Sequence, residues 1–487
     1  MNELEARPLD SRACQRATLA STTSLLYTRS DPYIDYIQSI RRLLSSIAMS
    51  SSTTTTRPPT PTEKLKPPTT ILTDDVEAAA NSKDDDEIDY PDGGWTAWSQ
   101  VLVGHLINAM TWGYAASFGV YQLHYVQTLK LPSSQVSWIG SVQIFLCFGT
   151  CVVSGRLSDA GYARETVLVG CMLAVFGTFM TSLCHTYWQI LLAQGVCVGL
   201  GLGIAFMPAI SVCSSYFDKN RPLALSISAV GTSVGSVVFP ATVQYLTPQI
   251  GFPWAVRCSA FIALLFSVTA LLLLKPRIAG RKSGPIVEWS AFRELPYVLF
   301  ALGSFLNFYA MYFAFFYINS FSRNIIGFST VESVNLLLVT NGVGILARPA
   351  TGLIANNYLG SINTFIIGTG IVSVMLFSWT AVATRAGMYA FAVLYGVGIA
   401  ANQSTFVASL ASLTKDPSKM GTRFGMVEAM CAFAALAGTP TAGVILDKMH
   451  GQYMVAQLWA GGVMLAAGIV FVACRISCTG WKWAAKI

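Results

Sequence analysis

Apart from Arg257 at a span edge, two formal charges stand inside the long apolar stretches of this chain: Arg348, in Ala347-Arg348-Pro349, and Glu428. A charge near mid-bilayer costs about 2.5–3.5 kcal/mol on insertion scales, so neither should face lipid. A guanidinium presents a planar fork that holds a carboxylate bidentately, which makes Arg348 a candidate for an anionic substrate. The plainer alternative is an intramolecular partner such as a carbonyl freed by Pro349. Glu428 is a candidate proton carrier, with an ion pair to nearby Arg423 as its structural alternative. Uncharged polar and aromatic residues recur at helical spacing in other stretches: His105, Asn108 and Trp112; Ser304 and Asn307; Tyr395 and Asn402. Phe308 and Met311, beside Asn307, offer a surface for a flat or bulky organic molecule. Such groups either line a cavity or bond one helix to another.

Twelve apolar stretches must position these residues, at about 97–121, 136–155, 166–184, 188–212, 223–246, 254–274, 297–319, 333–354, 363–383, 387–411, 425–446 and 454–473, each near the ~20 residues that cross ~30 Å of hydrocarbon. With 53% hydrophobic and 11% charged residues, the composition excludes a soluble domain. The runs are helix-length and do not alternate at period two, so a β-barrel is rejected and an all-α membrane protein is predicted. No phosphate-binding loop, His cluster or paired-carboxylate set occurs in the spans, which argues against an ATP-driven pump or a membrane enzyme. His105, His124, His185 and His450 are too scattered for a metal site, and no cofactor is implied. The eleven cysteines, odd in number and mostly inside spans, read as small packing residues.

The net charge of +7 does not point to nucleic acid, because the basic residues sit in loops. Fifteen Lys and Arg fall on one side of the bundle, among them Arg156, Lys219, Lys275, Arg277, Arg281, Lys282, Lys415 and Lys486, against five on the other. That bias predicts cytosolic termini, although the eighth-to-ninth loop carries no Lys or Arg. Residues 1–90, rich in Ser, Thr and Pro with an acidic run from Asp84 to Glu87, read as a disordered cytosolic tail without a signal peptide. The low-complexity stretch starts naturally at Met49, so residues 1–48 read as an upstream extension. The remaining divisions are a six-helix half over 91–275, a cytosolic linker over 276–296, a second half over 297–474 and a short cytosolic tail over 475–487. Gly195, Gly199 and Gly203, and Gly231 with Gly235, give small faces for internal helix packing in a monomer.

Before the first span stands Asp89-Tyr90-Pro91-Asp92-Gly93-Gly94-Trp95-Thr96-Ala97-Trp98, a turn followed by two indoles suited to the membrane interface. The block Pro91 to Trp95 resembles the signature of the monocarboxylate-porter family of the major facilitator superfamily, especially its fungal members. Gly155-Arg156-Leu157-Ser158-Asp159-Ala160-Gly161, with Arg164 beyond, resembles the superfamily's gate motif. There the glycines let helix ends approach, and Asp159 with the arginines forms a latch. Gly352-Leu353-Ile354-Ala355-Asn356 echoes it in the second half, with Asn356 in the place of Asp159. Tyr216 to Ala224 is similar to the family's fourth loop. The resemblance spans residues 90–475 and implies a major facilitator fold, twelve transmembrane helices in two six-helix halves.

In that fold the first, fourth, seventh and tenth helices line a central cavity, which places the polar stripes and Arg348, the family's eighth-span arginine, toward substrate. Animal lactate carriers have an acidic residue where this chain has Gly344 and a lysine where it has Ala116. Both relay charges are missing, which favours a larger, less charged substrate than lactate. The implied function is a secondary active transporter moving a small organic acid or related metabolite by alternating access, coupled to protons. The alternatives are an exporter of a fungal secondary metabolite and, in another class, a transporter-like nutrient receptor. The expected location is the plasma membrane. Asn402-Gln403-Ser404 fits the glycosylation pattern but lies within a span and should stay unmodified.

Overall fold

A computed structural model describes residues 90–131, 133–277, 285–414 and 416–482. The N-terminal tail with its Met49 boundary, Arg281 and Lys282 of the linker, Lys415 and Lys486 lie outside the described residues. The chain from Ile88 onward is one compact unit.

Twelve helical rods follow one another in it: α1 Gly94–Gln127; α2 Ser133–Gly149, resumed after Thr150 as Cys151–Asp159; α3 Ala163–Thr181; α4 Tyr187–Ser215; α5 Arg221–Ile250; α6 Phe252–Leu273; α7 Leu295–Phe321; α8 Thr330–Ile354; α9 Ser361–Ser378; α10 Arg385–Ser412; α11 Met420–Lys448; α12 Tyr453–Thr479. Eleven of them, α2 to α12, are long and apolar enough to cross a bilayer. The first, α1, is the longest at 34 residues, and it dilutes its apolar surface with Gln100, His105, Asn108 and Thr111. Several rods overrun the apolar stretches, as α1 does at both ends, because a helix does not stop at the hydrocarbon boundary.

The helix pairings repeat with an offset of six. The pair α1–α5 has its counterpart in α7–α11, α3–α4 in α9–α10, α3–α6 in α9–α12, and α2–α4 in α8–α10. The halves meet chiefly along two seams, α2 against α11 and α8 against α5, related by the same offset, with lesser contacts of α10 on α5 and α11 on α4. Glycine faces set the closest approaches. A Cβ at Gly231 would fall 1.9 Å from the His105 carbonyl oxygen, and one at Gly235 would fall 2.0 Å from that of Ala109, both on α1. Gly199 and Gly203 of α4 turn the same way toward α2, 2.8 Å from the Gln143 oxygen and 2.1 Å from the Cys147 oxygen. The small faces therefore serve packing within the chain. The ten cysteines among the described residues are free thiols, and most are buried.

The aromatic turn before α1 does more than anchor an interface. Asp92, in the left-handed region at φ 48, accepts on Oδ1 from the backbone N–H of Asp218 at 2.8 Å and of Asn220 at 3.2 Å. Its own N–H donates to the Tyr216 carbonyl at 3.1 Å, and Trp98 meets the Phe217 ring at 5.4 Å. The entry of the chain is thus knotted to the loop that leads into α5. Trp95, 87% exposed, is the indole left for the interface.

These glycine contacts give a direct comparison. Gly235→Ala forces a methyl into the α1 backbone and is expected to cost about 1–3 kcal/mol. Gly119→Ala, with nothing within 4 Å of the new Cβ, is expected to gain about 0.5–1 kcal/mol from helix propensity. Thermal melts of the two purified variants check this; equal melting temperatures would remove the packing role of Gly235.

Candidate functional site

A cavity of about 50 Å³ lies near the middle of the bundle, walled by residues of α1, α4, α5, α7, α8, α10 and α11. It has room for no more than a few waters and falls well below the roughly 300–1,000 Å³ of a ligand pocket, so the halves must part to admit an organic molecule. One ring cluster crosses from half to half. Trp112 packs on Phe148 at 4.9 Å and Phe206 at 5.6 Å, Phe148 on Phe308 at 5.3 Å, and Phe308 on Phe406 at 5.4 Å. Asn108 joins the wall from α1. Its amide donates to the Gly104 carbonyl at 2.8 Å and to Ser228 Oγ at 3.3 Å, and its Oδ1 accepts from Thr232 at 3.4 Å.

Arg348 enters this cavity from α8 and is 3% exposed. Its Nε donates to Ser233 Oγ on α5 at 3.0 Å, and Nη2 donates to Gln403 Oε1 on α10 at 2.5 Å. These are two neutral side chains, one from each half; a carbonyl freed by Pro349 is not the partner. Among the described residues no carboxylate pairs with Arg348. Gly344 explains itself here. A Cβ at that position would lie 2.3 Å from Ser233 Oγ and 3.5 Å from Arg348 Nε, so any side chain, acidic ones included, would displace the bond between them.

Glu428 lines the same cavity from α11, is 2% exposed, and its Oε2 is buried without a hydrogen-bond partner. The ion pair with Arg423 weighed from sequence is not formed. Arg423 instead forks onto Glu294, at 2.5 and 3.0 Å, and bonds Glu288 at 3.2 Å, while Lys419 reaches Glu288 at 2.9 Å. These acids belong to the segment between the halves, distant in sequence but folded against the start of α11. Burial of Glu288 works against its charge, yet the bonds from Lys419, Arg423 and Ser290 outweigh it and hold the carboxyl below its ordinary value.

Asn108, Trp112, Phe308, Arg348 and Asn402 line the cavity, together with Gln403, Thr232, Phe206, Tyr312 and Phe406, which the sequence reading did not single out. Five other candidates pack elsewhere, Met311 among them, buried with its Sδ accepting from Gln403 Nε2 at 3.6 Å. His105 Nδ1 approaches the Ile227 carbonyl at 3.4 Å. Asn307 exchanges amide bonds with Asn402 at 3.0 and 3.2 Å, and Asn402 also donates to Thr369 at 2.8 Å. The Tyr395 hydroxyl donates to the Met311 carbonyl at 3.2 Å, and Ser304 turns back to Phe300 at 2.7 Å.

At one end of the bundle Asp159 crosses the α2–α11 seam. Its Oδ1 accepts from the Gly421 N–H at 2.9 Å, and its Oδ2 from the Thr422 N–H at 2.7 Å and hydroxyl at 2.6 Å. A carboxylate at a helix start satisfies free N–H groups and meets the positive end of the dipole. Gly155 allows the approach, since a Cβ there would sit 2.1 Å from the Gly421 oxygen. Gly161 makes the following turn at φ 94; Arg156 is buried, and Arg164 is exposed at the start of α3.

Residues 101–439 match the sequence profile of the Major Facilitator Superfamily. An MFS-type transporter of Gibberella zeae is 39% identical over 392 residues, covering 80% of this chain and 88% of that protein. The aspyridones efflux protein apdF of Emericella nidulans is 33% identical over 80% of each chain. Among solved structures, the human organic anion transporter MFSD10 superposes with a TM-score of 0.63 at 14% identity, covering 77% of this chain and 99% of its own, which is a likeness of fold.

The Glu288 cluster generates a pH prediction. A carboxyl held below its ordinary value of 4.5 contributes stability that is complete above that pH and is lost as the pH falls through the lower folded value. The melting temperature should therefore fall on the acid side of about pH 4.5, and Glu288→Gln, less stable at pH 7, should flatten that part of the fall. A variant with the wild-type acid slope would overturn the assignment.

Proposed function

The chain belongs to the major facilitator superfamily, and we propose that this transporter exports a small acidic metabolite by alternating access coupled to protons. The observation that carries the reading is Arg348, a buried cation in the wall of an aromatic cavity, bonded to neutral side chains and, among the described residues, to no carboxylate. An uncompensated buried charge is costly, and an organic anion would supply the missing partner. The ring walls suit a larger, flatter molecule than lactate. The efflux protein among the relatives supports the outward direction. The finer likeness to fungal monocarboxylate porters rests on the Pro91 to Trp95 block.

Glu428 is the proton site in this reading, because its unpartnered oxygen faces the same cavity as the arginine. Asp159, holding the start of α11, is the gate. The Lys and Arg distribution supports cytosolic termini, so the Asp159 end faces the cytosol, in the plasma membrane.

Variants at two positions test the reading. Arg348→Lys keeps the charge but loses the fork, and should reduce transport of an acid at least about tenfold, with Arg348→Gln lower still; a matched neutral amide should be far less affected. Transport of acid and amide by proteoliposomes with equal protein content is the measurement, and parallel losses for both compounds would make the arginine structural. Asp159→Asn replaces an acceptor oxygen by an amide facing N–H donors. It should slow transport while leaving substrate affinity within about threefold, since it shifts the balance of closed and open states. Unchanged rates would remove the gate.

A further inference from the structure

The two seams are related by the six-helix repeat but are not closed in the same way. Across α2–α11, Asp159 brings a carboxylate to the first N–H groups of a helix. At the same register of the α8–α5 seam stands Asn356, in the π-helical turn Ala355–Leu359 that extends α8. Its Nδ2 reaches Asn220 Oδ1 at 3.4 Å and Asn357 Oδ1 at 3.1 Å, and its Oδ1 is buried with no partner. Beside it lies a cavity of about 410 Å³, walled by the start of α5, the turn after α8, the start of α9 and the end of α10.

Three features of this cavity favour negative charge. First, α9 begins at Ser361 after Gly360, at φ 83, a residue with no side chain to cap the helix start. Second, Ser361 is 3% exposed and lines the cavity, and its hydroxyl has no partner among the described residues. Third, Lys219 in the facing wall pairs with no carboxylate among the described residues. Arg221 is held beside it by Asp218 at 3.2 Å, the Phe217 carbonyl at 2.8 Å and the Tyr90 ring at 5.4 Å. Asp218 is the one carboxylate in the wall, and that pair offsets its charge.

We propose that this cavity is an anion site, taking a phosphate group between the start of α9, the Ser361 hydroxyl and Lys219. The bound oxygens would give the α8–α5 seam the negative charge that Asp159 gives its counterpart, and so favour closure of this end of the bundle. The phosphate could come from a soluble cytosolic species or from an anionic lipid headgroup. The inference rests on the geometry of this end, not on the export reading, and its test reads binding, not transport.

The full chain in phosphatidylcholine nanodiscs is titrated with inorganic phosphate against chloride at matched ionic strength, following thermal unfolding. A saturable rise in melting temperature is expected. Lys219→Gln and Ser361→Ala should each raise the midpoint of that titration about tenfold, the size of a lost charge-assisted bond. Asn356→Asp, which places the carboxylate in the chain itself, should remove the response. Loss of the response in nanodiscs containing phosphatidylinositol, with stability raised before any phosphate is added, would identify the lipid headgroup as the occupant. No phosphate-specific stabilisation in phosphatidylcholine discs overturns the proposal, and so does an undiminished response in Lys219→Gln and Ser361→Ala.

Discussion

Helices in hydrocarbon gain little by hiding apolar surface from one another, so their arrangement here depends on how closely backbones can approach. Gly231 and Gly235 bring α5 onto the carbonyls of α1, Gly203 brings α4 onto α2, and Gly155 meets Gly421 across a seam. Each contact leaves no room for a methyl group. The polar geometry follows from them. The α1–α5 approach sets Asn108 within reach of Ser228 and Thr232, and the Gly155–Gly421 approach lets Asp159 reach two N–H groups of α11.

A bundle in lipid must also satisfy its own polar groups, and most of them are consumed in doing so. Asn307, Asn402 and Thr369 bond one another across α7, α10 and α9, and Tyr395 is spent on the Met311 carbonyl. Among the described residues that line the small central cavity, Arg348 pairs with no carboxylate and one Glu428 carboxylate oxygen has no donor. On the proposed reading, a ligand meets the bundle where internal pairing stops.

Much of this was legible in the sequence. Helix number, the repeat of the halves and the isolation of Arg348 and Glu428 follow from hydropathy and charge, because lipid tolerates few other patterns. Which face of a helix looks inward was only partly legible. His105, Asn108 and Trp112 share one stripe, yet only Asn108 and Trp112 reach the cavity, since a stripe is wide and its edge is taken up by the neighbouring α5. Partners far apart in the chain left no local trace. Asp92 caps a loop 126 and 128 residues away, and Arg423 turns from its near neighbour Glu428 to Glu294, 129 residues distant. Gln403 was read only as part of a glycosylation pattern, yet it holds the arginine.

Arg348 joins the central cavity to one seam. Its bond to Ser233 ties α8 to α5, the two helices of that seam, while its bond to Gln403 stays within the second half. Both acceptors are neutral, and a carboxylate is roughly twice as strong an acceptor for a guanidinium. An arriving anion that takes the fork therefore exchanges weaker bonds for stronger ones, and the bond it displaces most readily is the longer one, to Ser233. Gly344 keeps that exchange open, because a side chain there would crowd both Ser233 and the guanidinium. On the proposed transport reading, occupancy of the cavity and the hold of α8 on α5 draw on the same side chain. On that same reading, the charge that would recognise the substrate also loosens the contact that must slide.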